Sequence, residues 1–204
     1  MTSTPLRIGG VVLCGGGSRR MGSPKPWLVV GAEPMLARVV RVVAKAVSPV
    51  VVVGKRGASY PPLPADIILG YDAVDDAGPL AGLATGFEML ANRCDAAFVA
   101  SCDHPLLSVA FVRAVVERLG DEPAVVPMDG KRSYPLVAAY RLSVRSVLAE
   151  QLANGDLRVQ EFARVCGARF VAVDELREAD SSLDSLRNVN DQPSYEAVCR
   201  IAGE

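Results

Sequence analysis

Three consecutive glycines, Gly15–Gly17, follow the apolar run Val11–Cys14, and Ser18, Arg19, Arg20 and Lys25 come soon after. Such a stretch suits a polyphosphate. Glycines let backbone N–H groups approach the anion, and nearby cations neutralise it. Two familiar phosphate loops nevertheless fail to match. The dinucleotide pattern G-x-G-x-x-G needs glycine where Arg20 stands, and G-x-x-x-x-G-K-[ST] begins with Gly17 and Gly22 but continues Ser23-Pro24. A tight turn after a strand accounts for the same glycines, so this motif alone leaves both readings open.

A second stretch, "SCDHP" (Ser101–Pro105), narrows the choice. A carboxylate beside bound phosphates is unfavourable unless a cation lies between them, and Mg²⁺ is commonly held by one or two carboxylates plus phosphate oxygens. Asp103 is the candidate; its plain alternative is a helix cap or surface turn. Asp72 poses the same choice between a turn residue and a nucleotide contact. His104 is the sole histidine, and a lone His beside a turn reads as structural.

Composition bounds the setting. The chain of 204 residues is half hydrophobic and 22% charged, which fits one globular domain with a sizeable core. No apolar run approaches the ~20 residues of a membrane span, and no secretory leader is recognisable. Five cysteines, with no CxxC pair among them, read as reduced thiols of a cytoplasmic protein. The net charge of −1 hides an asymmetry: residues 1–56 hold nine Lys/Arg and one acid. A basic first third suits an anionic ligand. Arg38, Arg41 and Lys45, however, fall at helical spacing and also read as one solvated face. So small an excess does not indicate nucleic acid.

The elements that must position these residues alternate. Strands are expected at Ile8–Cys14, Val50–Val53, Asp66–Leu69 and Ala96–Ser101. Helices are expected at Pro34–Val47, at Leu80–Leu90, and after a Ser108 cap with Val109, Val112, Val115, Val116 and Leu119 on its apolar face. Uniformly apolar strands separated by helices imply a parallel sheet covered on both faces. Further on, strands are expected at Ala124–Val126, Leu136–Tyr140 and Arg169–Val173, with helices at Val144–Leu152, Val159–Cys166 and from Pro193. In open parallel sheets, ligands lie beyond the carboxyl ends of the strands. The glycine loop and "CDHP" both sit at such ends and are expected to share one cleft.

At this point a family resemblance becomes specific. "LCGGGSRRMGSPK" is similar to the L-A-G-G-x-S-x-R-M-G-x-x-K signature of nucleotidyltransferases. "DAVDDAGPLAGLATG", "SCDHP", "LANGDLRVQEFAR" and "LRNVNDQPSYEAV" resemble, in order, further stretches of the molybdenum cofactor guanylyltransferases. The resemblance implies a single-domain α/β fold: a mostly parallel twisted sheet flanked by helices, Rossmann-like and of the nucleotide-diphospho-sugar transferase type. It implies a nucleotide-binding half at about 1–107 and an acceptor-binding half at about 108–204. It implies Mg²⁺-dependent transfer of GMP from GTP to molybdopterin, with transient contact with proteins of molybdenum cofactor synthesis or delivery, and with neither nucleic acid nor membrane as partner.

Carried over residue by residue, Leu13, Cys14, Gly15 and Gly16 would line the nucleotide with their backbone, and Lys25 would meet its phosphates, joined by Arg19. Asp72 and the turn Gly78, Pro79, Leu80, Ala81 and Gly82 would meet the guanosine end. Asp103 would hold Mg²⁺ with help from Asn190. Arg158, Tyr134 and Pro135 are the acceptor-side candidates; Arg158 also reads as a plain surface arginine. The chain departs from the family at Cys14, where alanine is usual, at Ser23-Pro24, Gly54, Tyr134 and Gln192. A cytidylyltransferase and a non-catalytic cofactor carrier are the rival readings. "GPLAG" argues against the first, and the joint presence of Asp103, Lys25 and Asn190 against the second.

Overall fold

Ile8–Cys14 forms the interior strand β1, and its neighbours in space come from much later in the chain. The computed structural model describes residues 5–15, 24–71 and 78–203. Within these, β1 is followed by a short antiparallel pair, β2 (Val29–Val30) and β3 (Glu33–Pro34). Then come β4 (Val50–Gly54), β5 (Ile68–Tyr71), β6 (Ala96–Ser101), β7 (Ala124–Asp129), β8 (Arg132–Ser133), β9 (Ala138–Arg141) and β10 (Arg169–Ala172). The helices are α1 (Met35–Ala46), α2 (Gly78–Leu90), α3 (Val109–Glu117), α4 (Arg145–Ala153), α5 (Val159–Val165) and α6 (Gln192–Gly203).

The main sheet runs β10-β7-β9-β6-β1-β4-β5, with β8 paired to β7. β1 lies parallel between β6 and β4, in a register that sets Leu13 opposite both Ser101 and Val53. β9 is the exception: it runs antiparallel to both β6 and β7. The sheet is therefore mixed but mostly parallel, and it is continuous through both halves of the chain.

Alternation along each strand feeds two cores. In β1, Val12 and Cys14 face the layer that holds Leu36, Val40 and Phe111 of α1 and α3. Val11 and Leu13 face the layer of Leu83, Phe87 and Phe162 from α2 and α5. A strand buried on both faces must be apolar at every position, which is why the first strand was legible as a continuous run. Close approach of α2 to β1 needs Gly86, because a Cβ there would stand 2.5 Å from Val11 Cγ1. At the heart of the second layer, the Tyr140 ring packs between Phe87 and Phe162, with centroids 5.8 and 5.7 Å away. Its hydroxyl donates to the Pro135 carbonyl at 2.8 Å.

A third, smaller cluster joins the two ends of the described chain. Val189 and Val198 pack with Val30 and Met35, and Tyr195 donates from its hydroxyl to the Val29 carbonyl at 2.6 Å. α6 therefore clamps the β2–β3 pair, which no local pattern announced. Ser108 caps α3 as expected, its Oγ accepting from Phe111 N at 3.1 Å. Two expectations shift. The strand expected at Asp66–Leu69 is β5 at Ile68–Tyr71, and Leu136–Tyr140 becomes β9 at Ala138–Arg141, because Val137 N is already tied back to Tyr134 in a turn.

Candidate active site

The carboxyl ends of β1 and β6 meet at one edge of the sheet. Cys102 N donates to the Leu13 carbonyl at 2.9 Å, so the end of β1, at Cys14 and Gly15, and the acidic turn lie side by side. Leu13 and Cys14 are buried and Gly15 is exposed at the rim. The Cys14 thiol lies against Cys102; that contact and burial push its pKa well above the usual thiol range. It is a packed neutral group, not a nucleophile. Gly16, Arg19 and Asp72 lie outside the described residues.

Asp103 follows β6 directly. Its carbonyl accepts from Val189 N at 2.8 Å, which brings the segment before α6 alongside it. Burial pushes its carboxyl pKa up, but His104, Ser101 and Lys25 outweigh that and hold it down at about 2. The group is a carboxylate at neutral pH. Its Oδ1 is buried and has no hydrogen-bond partner. A buried carboxylate oxygen left unmatched is costly unless something charged completes it. Lys25, at the start of a 3₁₀ turn, donates from Nζ to Asn190 Oδ1 at 3.3 Å. Asn190 is exposed just before α6, where Ser194 N donates to Asp191 Oδ1 at 2.9 Å. Asp103, Lys25 and Asn190 thus converge, though they are far apart in sequence.

A cavity of about 270 Å³ opens beside Asp103 and His104. Pro79 borders it from α2, Gln160 from α5, and Tyr134 and Pro135 from the segment between β8 and β9. The Arg132 guanidinium lies 4.9 Å from the Tyr134 ring centroid, a cation–π contact that stiffens this wall. A second cavity of about 420 Å³ lies beyond Arg132, Tyr134 and Asn188, which line both.

Two sequence expectations need correction. Gly78–Gly82 is not a turn but the opening of helix α2. Gly78 begins it at φ +74°, a conformation that suits glycine, and Gly78 and Pro79 are exposed. Leu80 and Gly82 are buried, with Leu80 in the core, and Ala81 is half-buried, so of these five residues only Pro79 lines the cavity. Arg158 does not line the cavity. Asp156, two residues away, holds its guanidinium in a paired contact at 2.9 and 2.7 Å on the surface, while Gln160 takes the cavity position.

Three site residues were missed or passed over. Asn188 had a signal in the N-V-N alternation, where buried Val189 turns both asparagines away from the core. Arg132 had only its place before Tyr134. His104 is 7% exposed, and its buried Nδ1 stands 3.0 Å from Asp103 Oδ1 without the alignment of a hydrogen bond, unlike a histidine placed for packing.

The fold has counterparts. A solved structure, molybdopterin-guanine dinucleotide biosynthesis protein A from Archaeoglobus fulgidus, superposes with a TM-score of 0.78 at 20% identity, covering 95% of this chain and 97% of its own. The two share one fold, a mostly parallel sheet between two helical layers. In sequence, the MobA-like NTP transferase domain matches residues 10–170. A probable molybdenum cofactor guanylyltransferase from Mycobacterium marinum is 33% identical over 205 residues, 97% of this chain and 96% of that protein. One from Pelotomaculum thermopropionicum is 30% identical over 203 residues, 98% and 95%. The chain belongs to the molybdenum cofactor guanylyltransferase family: it is a nucleotidyltransferase of molybdenum cofactor biosynthesis.

Proposed function

We propose that the protein transfers GMP from GTP to molybdopterin, in its molybdenum cofactor form, giving the guanine dinucleotide cofactor and pyrophosphate with Mg²⁺ as the resident ion. One observation carries this reading. An ionised carboxylate with a buried oxygen that no hydrogen bond completes lies between the end of β1, at Gly15, and a cavity walled by Tyr134 and Pro135. Donor on one side and acceptor on the other is what a group transfer between two phosphorylated molecules needs.

The residues present fit a hard divalent ion. Asp103 Oδ1 offers a bare carboxylate oxygen, and Asn190 Oδ1 a carbonyl oxygen beside Lys25. Among the described residues no group of three or more His, Cys, Asp or Glu gathers as a cage, which suits an ion that takes its other ligands from substrate phosphates and water. When bound, Mg²⁺ supplies charge neutralisation to the phosphates at the reacting centre.

The remaining work falls to the chain. Gly15, exposed at the rim, leaves room for phosphate near backbone amides. Lys25, positioned by Asn190, faces the developing charge. Pro79 borders the cavity at the helix start, and Tyr134 and Pro135 orient the acceptor. The attacking group is the acceptor's terminal phosphate, anionic at neutral pH, so no strong general base is called for. Alignment and electrostatics do the rest. Brief contact with proteins of cofactor synthesis or delivery belongs to the same proposal.

The test is direct. Purified protein is incubated with molybdenum cofactor, Mg²⁺ and GTP, CTP or ATP, and the pterin products are read by mass spectrometry. A guanine dinucleotide formed with GTP alone supports the reading. A cytosine product would overturn the base choice, and no product from folded protein would overturn the transfer.

A further inference from the structure

Resting on the metal role proposed above for Asp103, we propose that His104 is a second protein ligand to the same ion, through Nδ1, and that it lets the Mg²⁺ site also take a first-row transition ion. His104 is 7% exposed, and both its Nδ1 and Asp103 Oδ1 are buried without a hydrogen-bond partner. The two atoms stand 3.0 Å apart. At that distance an N–H aimed at the oxygen would make a bond, but the pair lacks hydrogen-bond geometry.

The spacing has another meaning. Two donors at about 2.1 Å from one octahedral ion, at a right angle, lie roughly 3.0 Å from each other. One cation next to both would satisfy two orphaned buried atoms at once. Both residues also line the same cavity, so an ion held there faces the proposed substrates. His104 N donates to the Ser101 carbonyl at 3.1 Å and Leu107 N donates to the His104 carbonyl at 3.2 Å, so the backbone that aims the ring is fixed. An imidazole adds little for Mg²⁺, which takes oxygen, but adds affinity for transition ions that accept nitrogen.

His104 is the only histidine in the chain, so a spectroscopic signature of imidazole nitrogen is assigned without ambiguity in untagged protein. The experiment uses the full chain with Mn²⁺ and a non-hydrolysable GTP analogue, read by pulsed electron paramagnetic resonance for directly bonded nitrogen. Incorporation of ¹⁵N-histidine separates imidazole from guanine nitrogen. A histidine nitrogen coupling is expected, lost in His104→Gln, with Mn²⁺ affinity about tenfold weaker and Mg²⁺ affinity changed less than about twofold. Mn²⁺ bound without that coupling, or with equal affinity in His104→Gln, overturns the proposal. The coupling in unmodified protein decides the matter even if the variant does not fold. Wild-type Mn²⁺ affinity in Asp103→Asn would instead overturn the Asp103 metal role itself, and this proposal with it.

Discussion

The parallel side of the sheet and the mixed side do different things. In β6-β1-β4-β5 every strand points the same way, so their carboxyl ends gather at one edge. In β10-β7-β9, the reversed β9 begins at that edge instead of ending there, and the segment 134–137 that leads into it becomes the cavity wall. The parallel side collects backbone and charge; the mixed side supplies a shaped surface. A single reversed strand is enough to add a second wall to the edge where the parallel strands end.

If that division is right, substitutions should sort by side. The largest effect is expected from Asp103→Ala, which should cut kcat by at least about a hundredfold through loss of charge stabilisation; retention of more than about a tenth of turnover would break the assignment. Lys25→Ala comes next. About ten- to a hundredfold lower kcat/KM for the nucleotide is expected, with the acceptor KM little moved, as read from steady-state kinetics with each substrate varied.

Tyr140→Phe probes the mixed side from within the core. It leaves the Pro135 carbonyl without its 2.8 Å donor, so about 1 kcal/mol of stability should go, by denaturant titration. The acceptor KM should rise severalfold while the nucleotide KM holds. A rise in the nucleotide KM alone would contradict the division. Arg158→Ala, whose guanidinium is already taken by Asp156 on the surface, should change either KM by less than about twofold; a tenfold loss in acceptor affinity would return it to the acceptor side.

The smallest effect lies at the opposite edge, where Arg7 hydrogen-bonds Asp95 and holds its carboxyl down at about 2. A depressed carboxylate stabilises the fold above its unfolded pKa and loses that contribution as pH falls toward the folded one. Asp95→Asn should therefore flatten the decline of Tm between pH 4 and about 2.5, seen by thermal melts, without altering activity at neutral pH.

Legibility followed the same line. The first strand, the Ser108 cap and the "CDHP" turn were readable because each is set by its own neighbours: apolar residues on both faces, a hydroxyl three residues before the amide it accepts from, a proline stopping a strand. β9 was readable as a strand but not as a reversed one, since "AAYR" carries no mark of direction; that comes from pairing with β6 and β7. The two-residue strands β2 and β3 have no period to detect, and their support arrives from α6. Within the candidate site, Asp103 stood out by its place at a strand end and Lys25 by the motif it closes, and the structure brings the two near Asn190. Asn188 and Arg132 did not stand out, because what places them is a shared cavity between distant segments. Arg158 misled in the other direction: its partner, Asp156, was two residues away, and only geometry shows the pairing.

The Lys25–Asn190 contact and the Tyr195–Val29 bond each join residues more than a hundred and sixty positions apart. With Val30 and Met35 packed on Val189 and Val198, they fasten α6 to the segment that leads into α1. The helix is thus a brace for the first third of the chain, and a change on its inner face would be felt at Lys25 without touching the main sheet.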